Sequence, residues 1–204
     1  AAIQLDLVTK KALEAFPTDG RKLDSLAFDG SKNWLMAAVS GKDPAFLLWT
    51  TGQADAPAFE HLTIEACQAV AINPRLPQVA WAAGGRVYTF DMPGRKQNAP
   101  LEIGEPVHAI RYSADGGSLA VSGTRFTVCD IASGNKRWTL PASMDATMTD
   151  SEKPTNFICE KILEFDEQGR LWAIGFTPGA SPPRRAVARF EANGFEPEIL
   201  QLDA

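Results

Sequence analysis

The chain has 204 residues, 45% hydrophobic and 22% charged, proportions that suit one soluble globular domain with a sizeable core. Its 20 basic and 25 acidic side chains leave a net charge of −5, which runs against a nucleic-acid-binding surface, where a basic patch is the usual footprint. No apolar run approaches the roughly 20 residues that a membrane-crossing helix needs, and Cys67, Cys129 and Cys159, with two histidines in all, exclude a CxxC redox pair and a His-rich metal site.

From the N-terminus, residues 3–7 (Ile-Gln-Leu-Asp-Leu) read as a strand and residues 12–16 as a second. Residues 10–16 also fit one helical turn, ended by Pro17 and Gly20. Short runs of β-branched, aromatic and aliphatic residues follow, set between Gly, Pro, Asn and Asp clusters, as expected for many short strands. Two patterns recur among them. In the first, a run ends on a bulky anchor and enters a turn; the anchors are Phe28, Ile72, Tyr112 and Phe165, spaced 44, 40 and 53 positions apart. In the second, an apolar strand ends on a bulky residue followed mostly by an acid: Leu5-Asp6, Trp49-Thr50, Phe90-Asp91, Cys129-Asp130 and Phe190-Glu191, at intervals of 44, 41, 39 and 61. Two separate patterns sharing a period near 40 to 45 point to propeller blades.

The third copy is the plainest. Residues 107–116 read as a strand and a turn, 118–123 as a second strand, 126–131 as a third and 136–140 as a fourth. This unit resembles a WD repeat, with Cys129-Asp130 standing where that family has Trp-Asp. The resemblance spans nearly the whole chain as a repeat pattern. It implies an all-β fold of four-stranded antiparallel blades and a protein that presents its loops and rims to protein partners. Gly104-Glu105 stands where the family has Gly-His, and Trp-Asp never occurs, so the family's Asp–His–Ser/Thr–Trp network cannot form. Packing between blades is then expected to hold the fold.

Blades are expected at residues 17–56, 57–98, 99–141 and 142–204, after an outer half-blade at 1–16, all in one domain. A seven-blade ring needs roughly 280–315 residues at the usual repeat length, so a partial propeller, about half a ring, is expected, with further blades from the same parent protein or another chain. A small closed ring is the alternative.

Nothing in the chain has the spacing of a nucleophile–base pair, a metal site or a phosphate loop; Gly123 and Gly84-Gly85 lack the Lys-Ser/Thr of the latter. No catalytic residue, cofactor or metal is expected. The long loop 141–156, with Asp150 and Glu152, is a recognition candidate; so is the proline-stiffened loop 178–185, which ends in Arg184 and Arg185 and suits an acidic surface or a phosphate. Trp138, beside Lys136 and Arg137 on an outer strand, is the most accessible of the five Trp. His108, Arg111 and Glu164 fall on inner strands, which line a propeller's channel. A structural role is the alternative at each of these positions.

The expected function is therefore a non-catalytic protein-interaction scaffold. A channel-using enzyme or small-ligand binder is the second reading, and an accessory subunit of a nucleic-acid-processing complex, without direct nucleic-acid contact, is the third. The expected compartment is the cytoplasm, with the nucleus left open.

Overall fold

The computed structural model describes residues 1–6, 11–53, 55–63, 65–123, 125–141, 158–166, 168–177, 184–191 and 197–201, and every regular element among them is a β-strand. The chain divides into two compact units, Ala1–Gly104 and Glu105–Ala204.

In the first unit, β1 (Ala2–Asp6) and β2 (Lys11–Phe16) pair antiparallel from Ala2↔Phe16 to Asp6↔Lys11, with an irregularity at Gln4/Leu5. Of the possible helical turn at residues 10–16, Lys11–Phe16 form a strand. Burial of Phe16 and Ala2 against the next sheet decides it, because tertiary packing outweighs a weak local preference. That sheet has the order β3 (Lys22–Asp29), β4 (Trp34–Ser40), β5 (Ala45–Thr50), β6 (Phe59–Leu62). Its fourth strand lies beyond the boundary expected at residue 56, since Leu48↔Phe59 pairing carries the sheet onward. The third sheet is β7 (Ala69–Ile72), β8 (Gln78–Ala83) and β9 (Arg86–Asp91), with β10 (Lys96–Gln97) and β11 (Leu101–Glu102) both pairing with β9.

The second unit holds two four-stranded sheets. One is β12 (Ala109–Tyr112), β13 (Ser118–Ser122), β14 (Arg125–Asp130) and β15 (Lys136–Pro141); the other is β16 (Ile158–Phe165), β17 (Leu171–Thr177), β18 (Arg184–Phe190) and β19 (Pro197–Gln201). The fold class is all-β, made of antiparallel blades of a partial propeller: four complete blades and one represented by two strands.

The two recurring patterns of the sequence are opposite ends of one cross-strand rung. Phe28 pairs with Leu35, which pairs with Trp49. The same rung reads Ile72–Val79–Phe90, Tyr112–Leu119–Cys129 and Phe165–Leu171–Phe190. A short polar side chain after most of these rung ends caps the turn that follows, bonding backbone N–H groups two or three residues on. Asp29 accepts from the Ser31 and Lys32 N–H groups, Asn73 from those of Arg75 and Leu76, Asp91 from that of Gly94, and Asp130 from that of Ser133. The acid of a WD-like unit is here a turn cap.

Strand alternation sends successive side chains to opposite faces, and the second sheet buries both. Leu35, Ala37, Val39, Leu47 and Trp49 pack toward β1 and β2, with Phe16 edge-on to Trp49 at 5.7 Å. Met36, Ala38, Phe46 and Leu48 pack instead against Val70, Val79, Trp81 and Phe90 of the third sheet. His61 stacks on Phe46 at 5.2 Å and meets Trp81 at 5.2 Å. In the second unit, Ala120, Phe126 and Val128 pack against Leu171, Ala173, Ala186, Ala188 and Phe190. Coverage is incomplete on the side of the first sheet. Leu26 and Phe28 of β3 share the face of their partners Ala37 and Leu35, yet they are 43% and 59% exposed, and among the described residues the first sheet holds β1 and β2 alone.

Two outcomes follow. Trp49→Ala should cost about 3–5 kcal/mol, as for a fully buried large aromatic, whereas Phe28→Ala on the same rung should stay within about 0.5 kcal/mol, as at an exposed site; urea denaturation of both variants measures the contrast. Burial lowers the pKa of His61 from its ordinary 6.5, so the unfolded chain takes up a proton more readily than the folded one. The stability linked to this site is complete above pH 6.5 and drains as pH falls through 6.5 toward the folded value. Thermal unfolding between pH 8 and pH 5 should therefore show a larger loss of Tm in the wild type than in His61→Gln.

Candidate functional site

The first hairpin turn of each complete blade follows the rung, and in three of them the chain takes the same number of residues between paired rung members: Phe28 to Leu35, Ile72 to Val79, and Tyr112 to Leu119. In the second sheet this turn carries Lys32. Its Nζ donates to Asp29 at 2.7 Å and reaches the next blade, donating to the backbone carbonyls of Asn73 and Pro74 at 2.8 Å each. The lysine closes the gap between two neighbouring turns. The matching position after Tyr112 is Gly116, with φ at +72°, where no side chain can cross.

A cleft of about 150 Å³ stands at the corresponding place in the second unit, between the turn at residues 113–118 and the turn at 165–171. Each wall is locked by its own acid. Asp115 Oδ1 accepts from the Ser113 hydroxyl at 2.6 Å and the Gly117 N–H at 2.9 Å. Asp166 accepts from the Gln168 and Arg170 N–H groups, from Arg170 Nε at 2.7 Å and from the Trp172 indole N–H at 3.0 Å. The floor is apolar, formed by Val128, Phe165, Leu171 and Phe190, and the rim carries Asp115, Arg137, Gln168 and Glu191.

Charge on this rim is uneven. Arg137 Nη2 donates to Asp130 Oδ2 at 2.7 Å. The Asp130 carboxyl is held at about 2 by the Ser133 backbone N–H, then by Arg137 and the Ser133 hydroxyl. Asp115 is lowered by the Ser113 hydroxyl and the Gly117 N–H, with the Arg137 charge assisting. Asp166 also sits at about 2: burial raises it, but the bonds from Trp172 and Arg170 outweigh that. All three stay ionised at neutral pH.

Of the residues expected to meet partners, Arg137 borders this cleft among the described residues. Trp138 lies on β15, the outer strand, and its side chain is outside the described residues, as are Asp150 and Glu152 altogether. Arg184 and Arg185 open β18 opposite Thr177 and Phe176, inside a strand rather than a loop. Arg185 is exposed, and the Arg184 side chain lies outside the description. His108 is exposed just before β12, its backbone N–H donating to the Ser122 carbonyl at 2.7 Å. Arg111 is half-buried on β12 and donates to the Ile110 carbonyl at 2.8 Å. Three positions apart on a strand, the two project from opposite faces. Glu164 belongs to β16, with its side chain outside the description.

Among the described residues no group of three or more His, Cys, Asp or Glu is placed to hold a metal. Cys67 and Cys129 are free and buried, and burial pushes their thiols up to about 12 and about 11. Such thiols stay protonated and unreactive at neutral pH.

Reading by sequence missed Asp115, Gln168 and Glu191, because the cleft joins side chains from two blades. The one signal was Gly116-Gly117 where the earlier copy has Lys32-Asn33.

Fold and site together define an all-β protein of propeller-type blades with a cleft between two turns. No family model matches the chain, and no curated protein matches it. Among solved structures it is similar to Kuenenia stuttgartiensis hydrazine synthase, with a TM-score of 0.70 at 12% identity, over 98% of this chain and 59% of that one. The likeness is one of fold, and this chain spans little more than half of the other's length. Among the described residues, no helix is long and apolar enough to cross a membrane.

The Arg137–Asp130 pair gives a direct check. Arg137→Met should raise the Asp130 pKa only part of the way from about 2 toward 3.8, since the Ser133 N–H bond, the largest of its stabilising contacts, remains. The stability linked to this carboxylate is present above pH 3.8 and is lost as pH falls toward about 2. Carboxyl-carbon NMR titration reads the shift; an unchanged Asp130 would mean that the arginine contributes nothing to it.

Proposed function

We propose that this chain is a non-catalytic protein-interaction scaffold of divergent WD-repeat type, whose half-formed first blade is completed by inner strands from the same parent polypeptide or from another chain. The observation that carries this reading is the exposure of Phe28. Its rung equivalents Ile72, Tyr112 and Phe165 are buried or half-buried, while Phe28 is 59% exposed beside Leu26 at 43%. On β1 and β2, Ile3 and Leu13 are also more than half exposed. Large apolar side chains left exposed side by side on β3 are what a neighbouring strand would cover, and a strand lacking a neighbour presents backbone groups ready to pair. A cytoplasmic setting belongs to the same reading, with buried free thiols at Cys67 and Cys129 in support.

Sedimentation velocity on the purified chain tests the proposal. The chain should self-associate at micromolar concentration, and Leu26→Lys with Phe28→Glu should shift it toward monomer while leaving its circular dichroism unchanged. A wild-type chain that stays monomeric and unfolds in one sharp step would overturn it.

A further inference from the structure

We propose that the cleft between the turns at residues 113–118 and 165–171 binds a short peptide through one side chain of leucine or phenylalanine size, flanked by lysine or arginine. The proposal rests on reading the chain as an interaction scaffold and names what one of its surfaces would take.

Size comes first. The cleft holds about 150 Å³, and an apolar cavity of about that volume accepts a benzene ring. The floor suits such a group. Leu171, Phe190 and Val128 are buried beneath it and Phe165 is half-buried beside them, so an entering apolar side chain would leave water chiefly against the Phe165 ring. The walls are preformed, because Asp115 and Asp166 pin their turns with bonds to their own backbones. Binding to a preformed site avoids the ordering cost of a mobile one.

Charge then selects the flanks. Arg137 is neutralised by Asp130. Glu191 lies 3.7 Å from Arg189 Nε, and Arg189 is also paired with Glu198. Asp115 and Glu191, both exposed, leave the rim net negative. Such a rim attracts basic residues beside the anchor and repels acidic ones. The floor needs the anchor and the rim needs the flanks, so the two requirements can be separated by experiment.

Fluorescence anisotropy of the full chain with three labelled peptides, Gly-Lys-Phe-Lys-Gly, Gly-Lys-Ala-Lys-Gly and Gly-Glu-Phe-Glu-Gly, provides that separation. The first should bind at least about tenfold more tightly than either other, a difference of about 1.4 kcal/mol. Asp115→Asn with Glu191→Gln keeps a capping oxygen in the first turn and removes both charges. This variant should lose most of the preference for lysine over glutamate flanks while keeping that for Phe over Ala. Equal binding of all three peptides, an unaltered preference in the variant, or no binding up to about 1 mM, a limit near 4 kcal/mol, would overturn the proposal. Sedimentation keeps the two readings apart. A chain that associates through its first blade yet ignores the peptides removes the peptide site alone. A stable monomer that binds the lysine–phenylalanine peptide removes the completion of the first blade alone.

Discussion

A β-sheet of apolar residues has two faces, and water must be kept from both. Within each unit, that requirement organises the rest. The second sheet sends alternate side chains of β4 and β5 to opposite sides, Ala37, Leu47 and Trp49 one way and Met36, Phe46 and Leu48 the other. Neither set would be stable against solvent, so a neighbouring sheet on each side is a condition of the fold. The first sheet meets the condition on one face only, and the exposed side chains of Ile3, Leu13, Leu26 and Phe28 gather around it.

Packing fixes the sheets, but polar groups shape their ends. Asp29, Asn73, Asp91 and Asp130 each bond the turn that follows them, a local network. Local caps leave the neighbouring turn unconstrained, and one side chain then decides whether two turns touch. Lys32 ties its turn to the carbonyls of Asn73 and Pro74. Gly116 provides no such tie, and a cleft with an apolar floor stands beside it. The strands beneath the two turns keep the same pairing, Phe28 with Leu35 and Tyr112 with Leu119.

The charges around that cleft follow the same economy. Asp115 and Asp130 are stabilised first by their own turns, and Asp166 by the Trp172 indole and then by Arg170. What remains is an exposed acidic edge over a hydrocarbon floor.

Much of this was legible in the residues alone. The spacing of Phe28, Ile72, Tyr112 and Phe165, and of Trp49, Phe90, Cys129 and Phe190, determined the strands, the blade period and the half-blade at the start, because a strand's alternation and its turn residues are local properties of the chain. The rung that joins the two patterns was not legible, since cross-strand register depends on bulges and turn lengths that only the folded sheet displays. Nor was the cleft. Val128, Phe165 and Glu191 come from different strands of two blades, and their meeting depends on how one sheet packs on the next. Sequence periodicity sets which face a side chain takes; only tertiary packing decides what, if anything, covers that face.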